Sequence, residues 1–400
     1  MVFTGKNALL KHMPPFYICL ALIYLPYIFF VQTDLFNISL KHDALTHILF
    51  GIAPVLTIFF GVYFARALLK VKTINFPRLY QSTPKFKLFI TSLLLICCLV
   101  QAIQISIALL GYLDGGFTEA RQQAVIEGIG VIIRLHLVLL PIYAAVTANK
   151  RLVYYFLGYF LVSHALRGFL MSERVATIEI ICLLWVVLPI CGHQSLSIKK
   201  TFLILVPTFI LFSALLSFRL DHQSSLGGRF DSSSTNLFDS TVSYYADVTN
   251  KFYLVMSGDL IYPSNSFMTP VYALFPKLNP SSNDYGETLA WLDFQSKHIS
   301  TGLNNPGGLA QDMSDFGNFG LFIVFIKFFI LSHCWLNRYR SISYLSISPL
   351  ILISIIEYPR FNYFYMPFGA YLLVAGIFIS ILSKNNTRPR VIEPRLEKER

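Results

Sequence analysis

The segment "HALRGFLMSERVATIEI", residues 164–180, places Arg167, Glu173, Arg174 and Glu179 within an otherwise apolar stretch, with His164 one helical turn ahead of Arg167. Guanidiniums in such a setting do one of two things. They pair with neighbouring carboxylates, Arg174 with Glu173 or Glu179, as glue between helices. Alternatively, their planar forks take up phosphate oxygens two at a time. If one helix runs through the segment, His164, Arg167, Met171 and Arg174 share a face.

Other arginines add to the second reading. Arg134 lies roughly two turns into a neighbouring apolar run. Arg219 follows another such run, Arg229 comes ten residues later, and Arg360 sits in "IEYPRFN". If these converge at one depth, their natural ligand is a pyrophosphate on a lipid carrier.

A second stretch, "TGLNNPGGLAQDMSDFGNFGLFIVFIKFF" at 301–329, sets Asp312 and Asp315 just ahead of an apolar run. A carboxylate there is placed to take the proton of an attacking sugar hydroxyl. It is equally placed to cap the helix that follows, and the two roles are compatible. Gly317 and Gly320 permit close approach, and Lys327 reads as facing a cavity or snorkelling. His42 and His47 stand five apart, off any common helical face, with no third ligand, so no metal site is expected. No Walker, GxGxxG, HExxH or DxD-like pattern is present, which leaves a nucleotide-driven reaction without residues to carry it. No cofactor is expected.

These residues must be positioned by membrane helices. Hydrophobic residues make up 55% of the 400 and charged ones 13%, too few charges to cover a soluble domain of this size. A spanning helix needs about 20 apolar residues. The candidates are 16–32, 48–65, 88–112, 128–148, 152–171, 175–191, 201–218, 318–336, 345–357 and 363–383. The first lacks a small-residue cleavage site and reads as an uncleaved anchor. The net charge of +11 reflects basic loops facing the cytoplasm, not nucleic-acid binding. The 66–87 loop carries six Lys and Arg, which assigns it to the cytoplasm together with Lys150–Arg151, Lys199–Lys200, Arg338–Arg340 and both termini. The opposite side then holds 33–47, 114–127, 172–174, 219–317 and 358–362. The expected organisation is seven spans over 1–218, an outer loop over 219–317, three spans over 318–383 and a basic tail over 384–400. Within the loop, Phe238, Val242, Tyr245, Thr249, Phe252 and Met256 form an amphipathic stripe that Gly258 should end. A second short helix is expected at 285–299. The loop reads as a lid on the bundle.

With its many spans, long late outer loop, "RGFLMSERVATIE" turn and "MSDFGNFG" entry into the next span, the chain resembles bacterial O-antigen or polysaccharide repeat-unit polymerases (the Wzy type). The resemblance implies an all-α polytopic bundle, GT-C-like, in the bacterial inner membrane. It implies a glycosyltransferase of lipopolysaccharide or related surface-polysaccharide biosynthesis, joining oligosaccharide units carried on undecaprenyl pyrophosphate. Arg134, His164, Arg167, Arg174, Arg219, Arg229 and Arg360 would then bind the pyrophosphate or sugar, and Asp315 and Glu173 are the catalytic candidates. The implied partners are the lipid-linked oligosaccharide, the bilayer and a polysaccharide chain-length regulator. Two rivals are an O-antigen ligase, which shares this architecture but delivers to a lipid A core, and a polyisoprenoid-oligosaccharide flippase or other transporter. Transporters usually show repeated halves, which this sequence lacks.

Overall fold

A computed structural model of the chain describes residues 44–69, 80–124, 129–171, 173–192 and 307–389, with scattered positions between 251 and 275. Long apolar runs must satisfy their backbone groups internally once water is excluded, and helices do so. The described residues accordingly form α1 (Ala44–Leu69), α2 (Pro84–Ala124), α3 (Ile129–Arg134), α4 (His136–Val146), α5 (Lys150–Leu170) and α6 (Arg174–Ile190). After the long loop come α7 (Gly308–Phe316), α8 (Gly320–Leu336), α9 (Ile342–Glu357) and α10 (Pro367–Asn386). Among the described residues, four stretches are long and apolar enough to cross a membrane: Pro84–Phe117, Ile129–Val146, Gly308–Leu336 and Phe368–Asn386. Ile52–Leu68, Val175–Ile190 and Ile342–Glu357 are shorter apolar helices. The protein is a helical membrane protein.

The centre of the bundle is α4. All its residues are buried, and α2, α5, α6, α9 and α10 pack around it. Outward-facing Leu88, Leu95, Leu99 and Leu110 of α2 remain exposed, as a lipid-facing surface requires. On one flank α1 packs against α8. A Cβ on Gly61 would lie 2.8 Å from the Phe325 carbonyl oxygen, so glycine sets that approach. Two short strands, β1 (Tyr80–Ser82) and β2 (Thr387–Pro389), pair antiparallel with Gln81 opposite Arg388. They hold the start of α2 beside the end of α10.

Three features depart from the sequence expectation. Residues 114–124, expected as outer loop, continue as helix after a break at Gly115 and Gly116, where Gly116 takes φ 72°. The returning segment lies against α2: Gln104 donates to the Ala124 carbonyl at 3.1 Å. The expected 128–148 helix is interrupted at Leu135, between α3 and α4. There the Ile133 carbonyl accepts from Gln101 Nε2 at 2.7 Å and lies 2.8 Å from His136 Nδ1, taking up a backbone oxygen at the break. Finally, α7 lies within the stretch expected to be loop and is largely buried.

Part of the long loop also joins the bundle. Residues 251–253 are helical, and Phe252 and Tyr253 are buried in the main apolar core. Gly258, at φ 76°, closes a turn onto the Val255 carbonyl at 3.1 Å, as expected of the residue ending that helix. The expected spans 16–32 and 201–218, most of the Phe238–Met256 stripe, the 285–299 helix and both termini lie outside the described residues.

Candidate functional site

The last two turns of α5 carry His164 and Arg167 three residues apart on its buried face, 0% and 1% exposed. The helix stops at Leu170, with the Met171 N–H bonded to the Arg167 carbonyl at 3.0 Å. It does not run on to Arg174, which begins α6, so the expected common face ends at Arg167. Glu173 precedes α6 in an extended conformation, φ −93° and ψ 91°, and makes no side-chain cap bond. Its carboxylate turns instead onto two guanidiniums. Oε1 accepts from Arg134 Nη2, and Oε2 accepts from Arg167 Nη2 at 2.5 Å.

Glu179, fully buried in α6, completes the group. Its Oε1 accepts from Arg134 Nε at 2.6 Å. Its Oε2 lies 3.4 Å from His164 Nε2 and 4.0 Å from Arg167 Nη1. Each arginine therefore faces both glutamates, and the formal charges cancel. Hydrogen bonding is less complete. Arg167 Nε and Nη1, His164 Nε2 and Glu179 Oε2 are buried without a hydrogen-bond partner among the described residues. Glu173, at 21% side-chain exposure, is the most accessible member. Burial pushes its carboxyl upward, but Arg167 and then Arg134 outweigh burial and hold it down at about 2.

From this group a polar layer continues into the bundle. His164 Nδ1 lies 2.8 Å from the Phe160 carbonyl, and its ring meets that of His136 edge-on at 4.8 Å. Ser163 donates to Gln101 Oε1 at 2.6 Å, and Gln101 Nε2 lies 3.3 Å from His136 Nδ1. Helices α2 to α6 are thus joined by one polar chain.

A second group forms where α7, α8 and the turn after α9 meet. Its centre is Asp312, 0% exposed. Lys327 Nζ donates to both its oxygens at 2.7 and 2.6 Å, Tyr358 to Oδ2 at 2.8 Å and Tyr365 to Oδ1 at 2.7 Å. Asn362 Nδ2 lies 3.4 Å from Oδ1, while the Asn362 N–H donates to Gln311 Oε1 at 2.9 Å. Arg360 Nη1 donates to Glu357 Oε2 at 3.1 Å. Asp315, partly buried in the last turn of α7, is close enough to act electrostatically on Lys327 and Tyr365. Neither aspartate caps a helix: Gly307 precedes α7 and Phe319 precedes α8. Lys327, expected to face a cavity or snorkel, instead pairs with Asp312.

The structure therefore brings Arg134, His164, Arg167 and Glu173 together around Glu179. It places Asp315 and Arg360 with the second group. The two groups adjoin, because the Arg134 guanidinium lies 4.8 Å over the Phe368 ring and buried Tyr363 feels the charges of Glu179, Arg134 and Glu357. The Arg174 side chain, and Arg219 and Arg229 altogether, lie outside the described residues. Sequence reasoning passed over His136, Gln101, Tyr358 and Tyr365. For the first two the available signal was a polar residue within an apolar run. Among the described residues, no three His, Cys, Asp or Glu side chains are grouped to hold a metal. No protein-family model matches the chain, and no curated protein or solved structure matches it either.

Proposed function

We propose that the protein is a membrane glycosyltransferase that polymerises oligosaccharide units carried on undecaprenyl pyrophosphate at the outer face of the bacterial inner membrane. The observation that carries this reading is the pair of buried guanidiniums, Arg134 and Arg167, gathered at the 171–174 turn, with Nε and Nη1 of Arg167 unbonded among the described residues. Donors fixed in a water-poor site stabilise charge growing on a leaving pyrophosphate, which is the main electrostatic demand of this transfer. The reading includes ten spans in a GT-C-like bundle with both termini cytoplasmic. The basic ends of the helices, including Lys85, Lys87, Lys150, Arg151 and Lys384, support that orientation because they lie opposite the 171–174 turn along their helices.

In this mechanism the arginines hold the pyrophosphate, with Arg174, Arg219, Arg229 and Arg360 as further contacts. Asp315 takes the proton from the acceptor hydroxyl. Glu173, the other catalytic candidate, is better suited to governing the arginines it bridges than to acting as the base. An O-antigen ligase would use the same donor site and differ in its acceptor. A transporter reading draws on one observation of its own, the buried Glu179–His164–His136–Gln101 chain, since intramembrane polar residues often mark proton or substrate paths.

The test is purified protein in bilayer discs with synthetic undecaprenyl-pyrophosphate repeat units, without nucleotide or metal. A ladder of lengthening products is expected. Unchanged substrate would overturn polymerisation, and transfer only after a lipid A core is added would identify a ligase.

A further inference from the structure

We infer that the Glu173 carboxylate occupies the seat of an anionic ligand and is displaced when a diphosphate enters, an inference that rests on the lipid-pyrophosphate reading above. A carboxylate with one oxygen on each of two guanidiniums makes the same contacts as two oxygens of a phosphate group. Of the two glutamates, only Glu173 reaches solvent, at 21% against 0% for Glu179. Glu173 stands outside helical geometry at the α5–α6 turn, so its side chain can leave by rotating about its own torsions. Glu179 is held within α6 and remains on Arg134 Nε.

The unbonded donors point the same way. Arg167 is 1% exposed, yet its Nε and Nη1 have no hydrogen-bond partner among the described residues. Buried donors are normally satisfied, and a diphosphate has more acceptor oxygens than the carboxylate it would replace. With Glu173 withdrawn, the group of Arg134, Arg167 and Glu179 carries one net positive charge. The empty site is thus neutral, and the site with Glu173 withdrawn carries charge of the sign opposite to its ligand's. The device is an internal anion that keeps two buried arginines paired between turnovers. No covalent step is involved.

The experiment is calorimetric titration of the purified full-length protein with inorganic pyrophosphate and, separately, with farnesyl pyrophosphate. Glu173→Gln removes the competing charge and should tighten binding about tenfold, the scale of one partly buried ion pair. Glu173→Asp keeps the charge, so it guards against a folding failure of the first variant. It is one methylene too short to bridge both guanidiniums, and it should tighten binding about threefold. A greater gain for the lipid probe assigns the seat to a lipid headgroup, and equal gains assign it to the diphosphate alone. Both support displacement. If wild type binds and neither variant binds more tightly, displacement is overturned while the pyrophosphate reading survives. If wild type and both variants bind neither probe, the pyrophosphate reading falls and the inference with it.

Discussion

The two polar groups of this protein are built from similar residues and finished differently. Around Asp312 four side chains converge on one carboxylate, an ammonium on both oxygens, two phenols and an amide, and of these four only Asn362 keeps a buried atom, Oδ1, unbonded among the described residues. Around Glu173 and Glu179 two guanidiniums share two carboxylates, and four buried atoms, one of them on His164, have no hydrogen-bond partner among the described residues. A saturated buried ion pair has nothing further to bind, and its physical effect is to fasten the elements that carry it. An unsaturated one retains the desolvation penalty of its idle atoms, which a ligand can relieve. The Asp312 ion pair is read as a staple that sets Asp315 and Arg360 beside the site, and the Glu173–Glu179 group as the anion seat itself.

The comparison breaks most readily at Asp312. Removing one partner of a buried pair costs about 3–5 kcal/mol, so Asp312→Ala should strip the protein from the membrane fraction or lower its unfolding temperature sharply. Lys327→Met should be milder, because Tyr358 and Tyr365 still donate to the carboxylate. Normal accumulation of Asp312→Ala with selective loss of product would mean that the staple is itself a site.

Next comes Arg167→Ala, expected to reduce product formation about 10²- to 10³-fold, as loss of one oxyanion-stabilising donor does. Adding Glu173→Gln to it removes the excess negative charge left on Arg134, which still bonds both glutamates, and should restore protein level but not product, measured by immunoblot and product ladder. Full activity in that double variant would make this group a staple as well.

A smaller effect is expected of Gly308→Ala. The Gly308 N–H donates to the Tyr358 carbonyl at 3.0 Å, and an added Cβ would collide with that same oxygen. Overpacking of this kind costs about 1–3 kcal/mol, so thermal stability should fall while pyrophosphate affinity stays unchanged. A change in affinity would show that the two groups communicate through the Tyr358–Phe368 turn.

The smallest effect is acid sensitivity. Glu173 is held at about 2, below its ordinary 4.5, so the stability it contributes is present above 4.5 and is lost as pH falls toward 2. Unfolding temperature should be level from pH 7 to 5 with respect to this group and decline below about 4.5. Glu173→Gln should flatten part of that decline, and an identical profile in the variant would dissociate Glu173 from the arginines.

Much of the helical architecture was legible because the signal for a spanning helix is a long apolar run, which α2, α8 and α10 display, whereas α5, with its polar His164 and Arg167, is a helix without such a run. What sequence did not disclose depended on side chains meeting across helices. Arg134 and Glu179 are 45 residues apart, and nothing in their spacing announces that they share a hydrogen bond. Of the two readings the spacing allows, the pairing one points to Arg174, the nearer arginine in sequence, whereas the described ion pairs use Arg134 and Arg167. The break at Leu135 was similarly hidden, since its capping donor Gln101 comes from another helix. For the aspartates, both residues were noticed, but the sequence offered no means of telling which one the bundle would bury.

The β1–β2 pair has a consequence for the order of assembly. Thr83 and Asn386 meet across 303 residues of chain, and the Thr83 N–H bonds to the Asn386 carbonyl at 3.1 Å. This closure spans almost every helix described, so it is available only after the last of them has been synthesised and has found its neighbours. Until then the start of α2 has no partner strand, and the nascent bundle is open on that side. The pairing therefore works as a latch that closes only once α10 and β2 are in place.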